Sequence, residues 1–255
     1  MKKRKNDDEK NDNGDCVQKC NRFFVETPEP LNIDVIKQSL DSFFSKHHQQ
    51  LQNGNKKVAF VTSGGTSAPL EKPPMAVRFL DNFSSGARGA ALCEYLSKEG
   101  YCVVSLRRTG SKMPFIRKCE NLFANTKKKR NVHQHVDFLS MFTKNEEEEE
   151  EEEENEEEND TRTKLKSIQA DRQRAYAEFG FLEIEFTTVY EYLHLLRLVS
   201  EKVNVYAEDV IIIHAAAVSD FYIPWSELAS HKIQSNALET SGSLFANFSS
   251  TPKML

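Results

Sequence analysis

The chain has 255 residues and a formal net charge of −5, with 34 Lys and Arg against 39 Asp and Glu. Residues 146–160 alone contain twelve Glu and one Asp, and without them the chain is mildly basic, at about +8. This balance suits small anionic ligands, but it is too diffuse to predict nucleic-acid binding. The length is sufficient for one well-buried core.

The five cysteines show no zinc-ligand spacing. Cys93 and Cys102 lie within apolar patterns and are predicted to be small core residues. No apolar run is long enough to span a membrane, and the first residues contain no apolar signal segment. We therefore predict a soluble, reduced, cytoplasmic protein, without a membrane partner or a metal site built by its own side chains.

The distribution of charged residues along the chain predicts where the folded domain lies. Residues 1–28 are polar and charged and are predicted to be a disordered tail. Residues 29–255 are predicted to form one domain, in which the low-complexity residues 143–162 are a disordered acidic insert. Within this domain, apolar residues of 33–51 recur at helical spacing, and Gly54 is a plausible stop.

A phosphate-binding turn is predicted after the first strand. Residues 58–61 form a continuous apolar run, which is typical of a strand covered on both faces of a parallel sheet. Gly64 and Gly65 follow, and because glycine accepts positive φ and has no Cβ, a ligand can approach this backbone closely. An ordinary strand–loop–helix unit, with glycines used only for turning, explains the same pattern.

A second glycine-bearing turn begins the next helix. A serine of the pair 84–85 can cap it, and Gly86 and Gly89 lie in its first turn, where free N–H groups and the helix dipole attract anions. About twenty residues separate strand and helix, which is long for a βα connection and favours a functional loop. The loop carries Arg78 and Asn82, so the arrangement predicts a site for a phosphorylated ligand.

Strands and helices alternate through the rest of the chain. Thr188 and Glu191 form a capping box, which predicts the start of a helix. Strand, helix and strand in succession predict a right-handed βαβ unit, so the fold class is α/β with a mostly parallel sheet. Further strands are predicted at 101–106, 181–186 and 209–214, and further helices at 85–98, 165–179 and from 188 onward.

Small residues follow the last of these strands. The alanines 215–217 allow another molecule to come close, and Asp220 could bind a ligand hydroxyl or hold a metal through water. A tight turn capped by Asp220 explains the pattern equally well. His214 ends an apolar run and is predicted to be a hydrogen-bonded core histidine rather than a catalyst.

Five motifs stand in order along the chain: Val61-Thr62-Ser63-Gly64-Gly65-Thr66 with Pro69-Leu70-Glu71, residues 77–89, residues 185–193, residues 215–222, and His231-Lys232-Ile233-Gln234-Ser235. Together they resemble eukaryotic phosphopantothenate–cysteine ligase. They cover about residues 30–255 apart from the acidic insert. Family members continue well past the position of Leu255, so the resemblance predicts a copy whose C-terminal part is missing.

The resemblance implies a Rossmann-like three-layer fold and a homodimer. It implies ligation of 4′-phosphopantothenate to L-cysteine through an acyl-adenylate, in coenzyme A biosynthesis. ATP is the implied co-substrate, with Mg²⁺, and the choice between ATP and CTP stays open. It implies no nucleic-acid partner.

The resemblance also assigns roles to single residues. Asn82 should hydrogen-bond the substrate carboxylate and the acyl-adenylate. Lys232, on a mobile flap, should neutralise phosphate charge as pyrophosphate leaves. Arg78 and Ala217 should contact the pantothenate portion. The residues that should line the nucleotide site are Gly64, Ser84, Gly86, Gly89, Ala215, Ala216 and Asp220.

Two other functions fit parts of the sequence. A catalytically inactive subunit derived from this ligase would keep the glycine turns and bind nucleotide or dimerise without turnover. A nicotinamide or flavin oxidoreductase fits the fold class. However, the chain lacks the Gly-x-Gly-x-x-Gly turn, and Arg107 and Arg108 stand where an acidic residue should close the next strand.

Overall fold

The structure is a computed structural model that describes residue 18 and residues 20–119, 156–233 and 249–250. The strands are β1 (Val58–Ser63), β2 (Ser67–Pro69), β3 (Phe79–Asp81), β4 (Cys102–Arg108), β5 (Phe181–Phe186), β6 (Val210–His214), β7 (Phe221–Tyr222) and β8 (Ser249–Ser250). The helices are α1 (Ile33–Gln52), α2 (Ala87–Lys98), α3 (Glu156–Arg174) and α4 (Val189–Val203). A π-helical turn, Ala175–Phe179, follows α3, and 3₁₀ turns lie at Asn204–Asp209 and Trp225–Glu227.

A four-stranded sheet with the order β5–β4–β1–β6 forms the centre of the molecule. All three strand pairs are parallel. Parallel neighbours need crossover connections, and these bring helices onto both faces of the sheet. Every residue of β1 and the first six of β4 are buried, which explains the apolar runs 58–61 and 102–104 at their starts. The predicted α/β fold with a parallel sheet is therefore confirmed.

The helices make three layers with the sheet. On one face, α1 and α4 contribute Leu40 and Leu195 to a core that includes Phe60 of β1. On the other face, α2 contributes Cys93, and the π-helical turn contributes Ala175. Burial raises the pKa of the Cys93 thiol to about 12, so this cysteine is a small neutral core residue, as predicted.

The predicted capping box at the start of α4 is present. The Glu191 backbone N–H donates to Thr188 Oγ1 at 3.2 Å, and the Thr188 N–H donates to Glu191 Oε2 at 3.0 Å. The two residues thereby satisfy two N–H groups that the helix itself leaves without partners.

The predicted disordered tail, residues 1–28, extends too far. Residues 20–26 are helical, and the Phe23 side chain is only 2% exposed. Its ring stacks on Tyr190 at 6.1 Å and meets Tyr222 edge-on at 5.4 Å. Burial of aromatic surface against α4 outweighs the polar composition of this segment. Residues 1–17 and residue 19 lie outside the described residues.

The predicted acidic insert, residues 143–162, also needs correction at its C-terminal end. Helix α3 begins at Glu156 and so includes the last seven residues of the predicted insert. One turn apart on this helix, Lys164 pairs with Asp160. Such (i, i+4) pairs support an exposed helix even where the composition is polar. Residues 143–155 lie outside the described residues.

Strand β6 is less buried than its apolar sequence predicts. Ile211 and Ile212 are 39% and 43% exposed, and His214 is exposed rather than a core residue. Among the described residues, β6 pairs with β1 alone and lies at the edge of the sheet. The apolar run therefore predicted the strand β6 correctly, but it did not predict that the strand lies at the edge of the sheet and is partly exposed.

Acidification should destabilise the fold through His194, whose Nε2 lies 2.9 Å from Thr27 Oγ1. Burial lowers the pKa of this imidazole, so the unfolded chain binds the proton more tightly than the folded chain. The stability is therefore complete above the unfolded pKa of about 6.5 and is lost as the pH falls from there toward the folded pKa. We expect the thermal midpoint to fall by at least about 2 °C between about pH 7.5 and pH 5.5.

The variant His194→Gln is the matched test, because glutamine can still hydrogen-bond Thr27 but does not titrate. Its midpoint should fall less than that of the parent chain over the same pH interval. An equal fall would contradict the assignment and would direct attention to His47, whose pKa burial also lowers.

Candidate active site

The carboxyl end of β1 runs into two glycines that have no room for a side chain. Gly64 has φ +89°, and a Cβ there would lie 2.6 Å from Arg108 Cβ. A Cβ on Gly65 would lie only 1.6 Å from the carbonyl oxygen of Asn82. The backbone after β1 therefore packs directly against the loop that carries Asn82, a contact that only glycine permits.

The loop after β6 is hydrogen-bonded to the loop after β1. The Ala217 N–H donates to the Gly64 carbonyl at 2.7 Å, and the Thr66 N–H donates to the Ala217 carbonyl at 3.0 Å. Further along, the Ser219 N–H donates to Thr66 Oγ1 at 2.9 Å. Parallel neighbouring strands end at the same edge of the sheet, so residues about 150 positions apart form one surface.

The Asn82 side chain lies where these two loops meet. Its backbone N–H donates to the Thr66 carbonyl at 3.0 Å, and its side-chain Nδ2 donates to the Val218 carbonyl at 2.6 Å. Asn82 is therefore held from both loops, which fixes the direction of its amide. The amide has two N–H donors and one oxygen, so binding Val218 leaves donor and acceptor capacity for a ligand.

The start of α2 adjoins this surface. Its N-cap is Gly86, with φ +73° and no side-chain cap hydrogen bond, so the predicted serine cap is wrong in detail. Ser84 Oγ instead accepts the Gly86 N–H at 3.4 Å, and Ser63 Oγ donates to the Gly86 carbonyl at 3.0 Å. A Cβ on Gly89 would lie 2.4 Å from Ser63 Oγ, so Gly89 brings the helix close to β1.

The remaining predicted residues lie around the rim. Ala215 and Ala216 donate their N–H groups to the Thr62 carbonyl and hydroxyl oxygens, each at 3.2 Å. Asp220 is exposed, two residues beyond the Val218 carbonyl that Asn82 binds. These residues therefore share one edge of the sheet with Gly64 and Asn82.

Arg78 and the segment that carries Lys232 are linked through the side chain of Glu71. Arg78 Nη1 donates to Glu71 Oε1 at 2.9 Å, and the Arg78 side chain remains 38% exposed. Lys232 is exposed, in a segment that the Ile233 N–H joins to the same Glu71 oxygen. The Arg78 side chain and the backbone of the residue after Lys232 thus bind the same buried carboxylate.

Sequence reasoning missed an arginine beside the glycine turn. Arg108 Nη2 donates to both carboxylate oxygens of Asp81 at 2.9 Å and to Ser67 Oγ at 2.8 Å. Burial alone would raise the pKa of Asp81, but hydrogen bonds from Ser67 and Arg108 outweigh it and lower that pKa. The β2–β3 pair is therefore fixed to β4 beside Gly64.

Sequence reasoning also missed a buried ionic cluster at the end of β4. Arg107 is 2% exposed, and its Nε donates to Glu183 Oε1 at 2.8 Å. Its Nη1 donates to the carbonyls of Arg108 and Ser111, both at 3.1 Å, and so holds the turn 108–111 against Gly86. The only sequence signal was the doublet Arg107-Arg108, which directly follows the predicted strand 101–106 and lies within β4.

Comparison with known proteins identifies the family. No profile of a known protein family matches the chain. Phosphopantothenate–cysteine ligase 2 of Oryza sativa subsp. japonica is 36% identical over 234 residues, which are 91% of this chain and 65% of that protein. The phosphopantothenate–cysteine ligase of Mus musculus is 35% identical over 231 residues, 91% of this chain and 67% of the relative. The chain belongs to the phosphopantothenate–cysteine ligase family.

A solved structure of the family has the same fold. A Cab2 mutant in complex with phosphopantothenate-cysteine superposes with a TM-score of 0.67 at 28% identity, covering 91% of this chain and 67% of that one. The predicted resemblance and the Rossmann-like fold are therefore confirmed. The chain spans between about half and two thirds of the length of the curated relatives it matches.

Two features are absent from the part of the chain that the structure describes. None of its helices is long and apolar enough to cross a membrane. Nor do its residues contain a group of three His, Cys, Asp or Glu side chains placed to hold a metal ion.

Proposed function

We propose that this chain catalyses the ATP-dependent ligation of 4′-phosphopantothenate to L-cysteine, through an acyl-adenylate, in coenzyme A biosynthesis. The observation that carries the proposal is the position of Asn82, whose amide is fixed by Val218 between the loops after β1 and β6. Ligands of open α/β sheets bind at this edge. The Cab2 structure with the same fold was solved with phosphopantothenate-cysteine.

The first half-reaction brings together groups that repel each other. The carboxylate of phosphopantothenate attacks the α-phosphate of ATP, so negative charge accumulates and pyrophosphate must leave. N–H donors and cations fixed in advance lower this barrier. We assign the phosphates to the backbone of Gly64 and to the start of α2 at Gly86, and the attacking carboxylate to the second N–H of Asn82.

The cations and the rim residues complete the assignment. Arg78 and Ala217 are proposed to contact the pantothenate portion, and Lys232 to neutralise the departing pyrophosphate. Asp220 is proposed to face the nucleotide, together with Ala215, Ala216, Ser84 and Gly89. Magnesium in nucleotide enzymes is held by phosphates and one or two carboxylates, and Asp220 is a carboxylate of this kind.

In the second half-reaction the amine of cysteine attacks the acyl carbon of the mixed anhydride. A carbon–nitrogen bond forms, the bond from the acyl carbon to the phosphate oxygen breaks, AMP leaves, and the amine loses a proton. Asn82 is proposed to hold the acyl-adenylate during this step. We also propose a homodimer and a cytoplasmic location, both supported by the family resemblance alone.

Pyrophosphate release by the purified 255-residue chain tests the proposal. The assay contains ATP, Mg²⁺ and 4′-phosphopantothenate, with and without cysteine, and is repeated with CTP. Release that depends on phosphopantothenate supports the adenylating half-reaction, and the preferred nucleotide follows from the rates. Nucleotide binding without any release would favour the inactive subunit instead.

Replacing Lys232 by Gln should slow pyrophosphate release about tenfold, because a partly exposed charge contributes on the order of 1 kcal/mol to a nearby anion. Lys57→Gln is the matched control, since Lys57 precedes β1 at the opposite end of the sheet and pairs with Asp209. Unchanged release by the Lys232 variant would refute this role.

A further inference from the structure

We propose that Glu71 is a positioning residue that couples Arg78 to the segment 229–233, which carries Lys232. The inference rests on the proposed function, because Arg78 and Lys232 are the cations assigned to the substrates there. Glu71 follows β2, and its side chain is fully buried, with 0% exposure. A buried carboxylate is retained only where donors compensate its charge.

One oxygen of Glu71 organises the loop that carries Arg78. Oε2 accepts the backbone N–H groups of Val77 at 3.1 Å and of Arg78 at 3.0 Å. The backbone that leads into Arg78 is therefore fixed before any ligand arrives. Glu71 therefore fixes the backbone position from which the Arg78 side chain extends.

The other oxygen serves two separate parts of the chain. Oε1 accepts the Arg78 guanidinium Nη1 at 2.9 Å and the backbone N–H of Ile233 at 3.4 Å. The adjacent backbone adds to this link, because the Lys72 N–H donates to the Ala229 carbonyl at 2.8 Å. Both ends of the segment 229–233 are thus hydrogen-bonded to residues 71–72, next to the loop that carries Arg78.

The charge on Glu71 is essential to this arrangement. Burial would raise the pKa of the carboxyl, but hydrogen bonds from Arg78, Val77 and Ile233 outweigh burial and lower it. Four N–H donors converge on the ionised carboxylate. A protonated carboxyl, or an amide in its place, would turn a donor toward them in place of one acceptor and could not satisfy all four. Arg78 and Ile233 bind the same Glu71 oxygen, Oε1. A substrate anion that draws the Arg78 guanidinium away therefore changes the hydrogen bond that fixes the segment carrying Lys232.

Glu71→Gln is the sharpest single variant, since it keeps the shape of the side chain but replaces one acceptor oxygen by an NH₂ group. Measured as pyrophosphate release by the 255-residue chain, KM for phosphopantothenate should rise about tenfold and kcat should fall about tenfold. Glu201→Gln, which removes an exposed carboxylate on α4, should change neither.

Double variants show whether Glu71 acts through Arg78 and Lys232 or only loosens the structure in general. In an Arg78→Gln background, the Glu71 substitution should no longer raise KM but should still lower kcat. In a Lys232→Gln background it should still raise KM but no longer lower kcat. Equal fold-changes in every background would mean that the sites act independently, and would overturn the proposal.

Amide hydrogen exchange gives a second readout that does not depend on activity. In Glu71→Gln, residues 229–233 should exchange about tenfold faster than in the parent chain, while α4 keeps its protection. Unchanged exchange at 229–233, or an equal increase in α4, would overturn the proposal. If the parent chain released no pyrophosphate, the proposed function would fail, yet the exchange comparison would still decide the role of Glu71.

Discussion

Replacing Asn82 by Ala should reduce formation of phosphopantothenoylcysteine by about 10²- to 10³-fold, the usual effect of removing one fixed donor from a reacting oxygen. The Val218 carbonyl holds the Asn82 amide at 2.6 Å, and alanine removes both the amide and this hydrogen bond. The acyl-adenylate should then leak from the site. Pyrophosphate release, measured with product formation in the same samples, should therefore exceed product.

The control for this experiment is Asn53→Ala, which removes an exposed asparagine at the end of α1. Its product formation should equal that of the parent chain. Wild-type turnover in the Asn82 variant would refute the assignment of Asn82 to the reacting carboxylate. A comparison of thermal midpoints shows whether either substitution also affects folding.

Replacing Gly65 by Ala should damage both the fold and the site. The new Cβ would lie 1.6 Å from the Asn82 carbonyl oxygen, a backbone atom that cannot rotate away. Overpacking of this kind costs about 1–3 kcal/mol or more, so we expect the thermal midpoint to fall by roughly 5–10 °C. Because the displaced loop carries Asn82, product formation should fall as far as in Asn82→Ala.

Gly100→Ala is the comparison that isolates the steric effect. Gly100 has φ +83°, but nothing lies within 4 Å of a Cβ there, so alanine introduces strain of about 1 kcal/mol without a clash. Its midpoint should fall less than that of Gly65→Ala, and its activity should be unchanged. If the thermal midpoints of the two variants fell equally, the close approach of Gly65 and Asn82 would not be a specific requirement for stability.

The features that could be predicted from sequence are those set by neighbouring residues. The capping box of α4, the apolar run of β1 and the glycine turn after it are all local patterns, and the structure contains each of them. Only the family resemblance, and no local pattern, placed the residues after β6 in one site with the glycine turn after β1.

The features that sequence reasoning missed depend on which strands are neighbours. The pairing of Arg107 with Glu183 requires β4 beside β5 in one particular register, which no local pattern specifies. The exposure of Ile212 likewise follows from the place of β6 at the sheet edge. The burial of Phe23 was missed because it stands in a polar segment and its ring packs against residues far along the chain, such as Tyr190 and Tyr222.

The pairing of β1 with β6 also determines the order in which the molecule can assemble. The hydrogen bond from Ser219 to Thr66 closes a loop of 153 residues. At 5–20 residues per second, a ribosome needs roughly 10–30 s to pass from one strand to the other. Throughout this time the loop after β1 lacks the Ala217 backbone that it binds in the finished fold. The candidate site is therefore among the last parts to form, and long-range closure rather than helix formation should limit refolding.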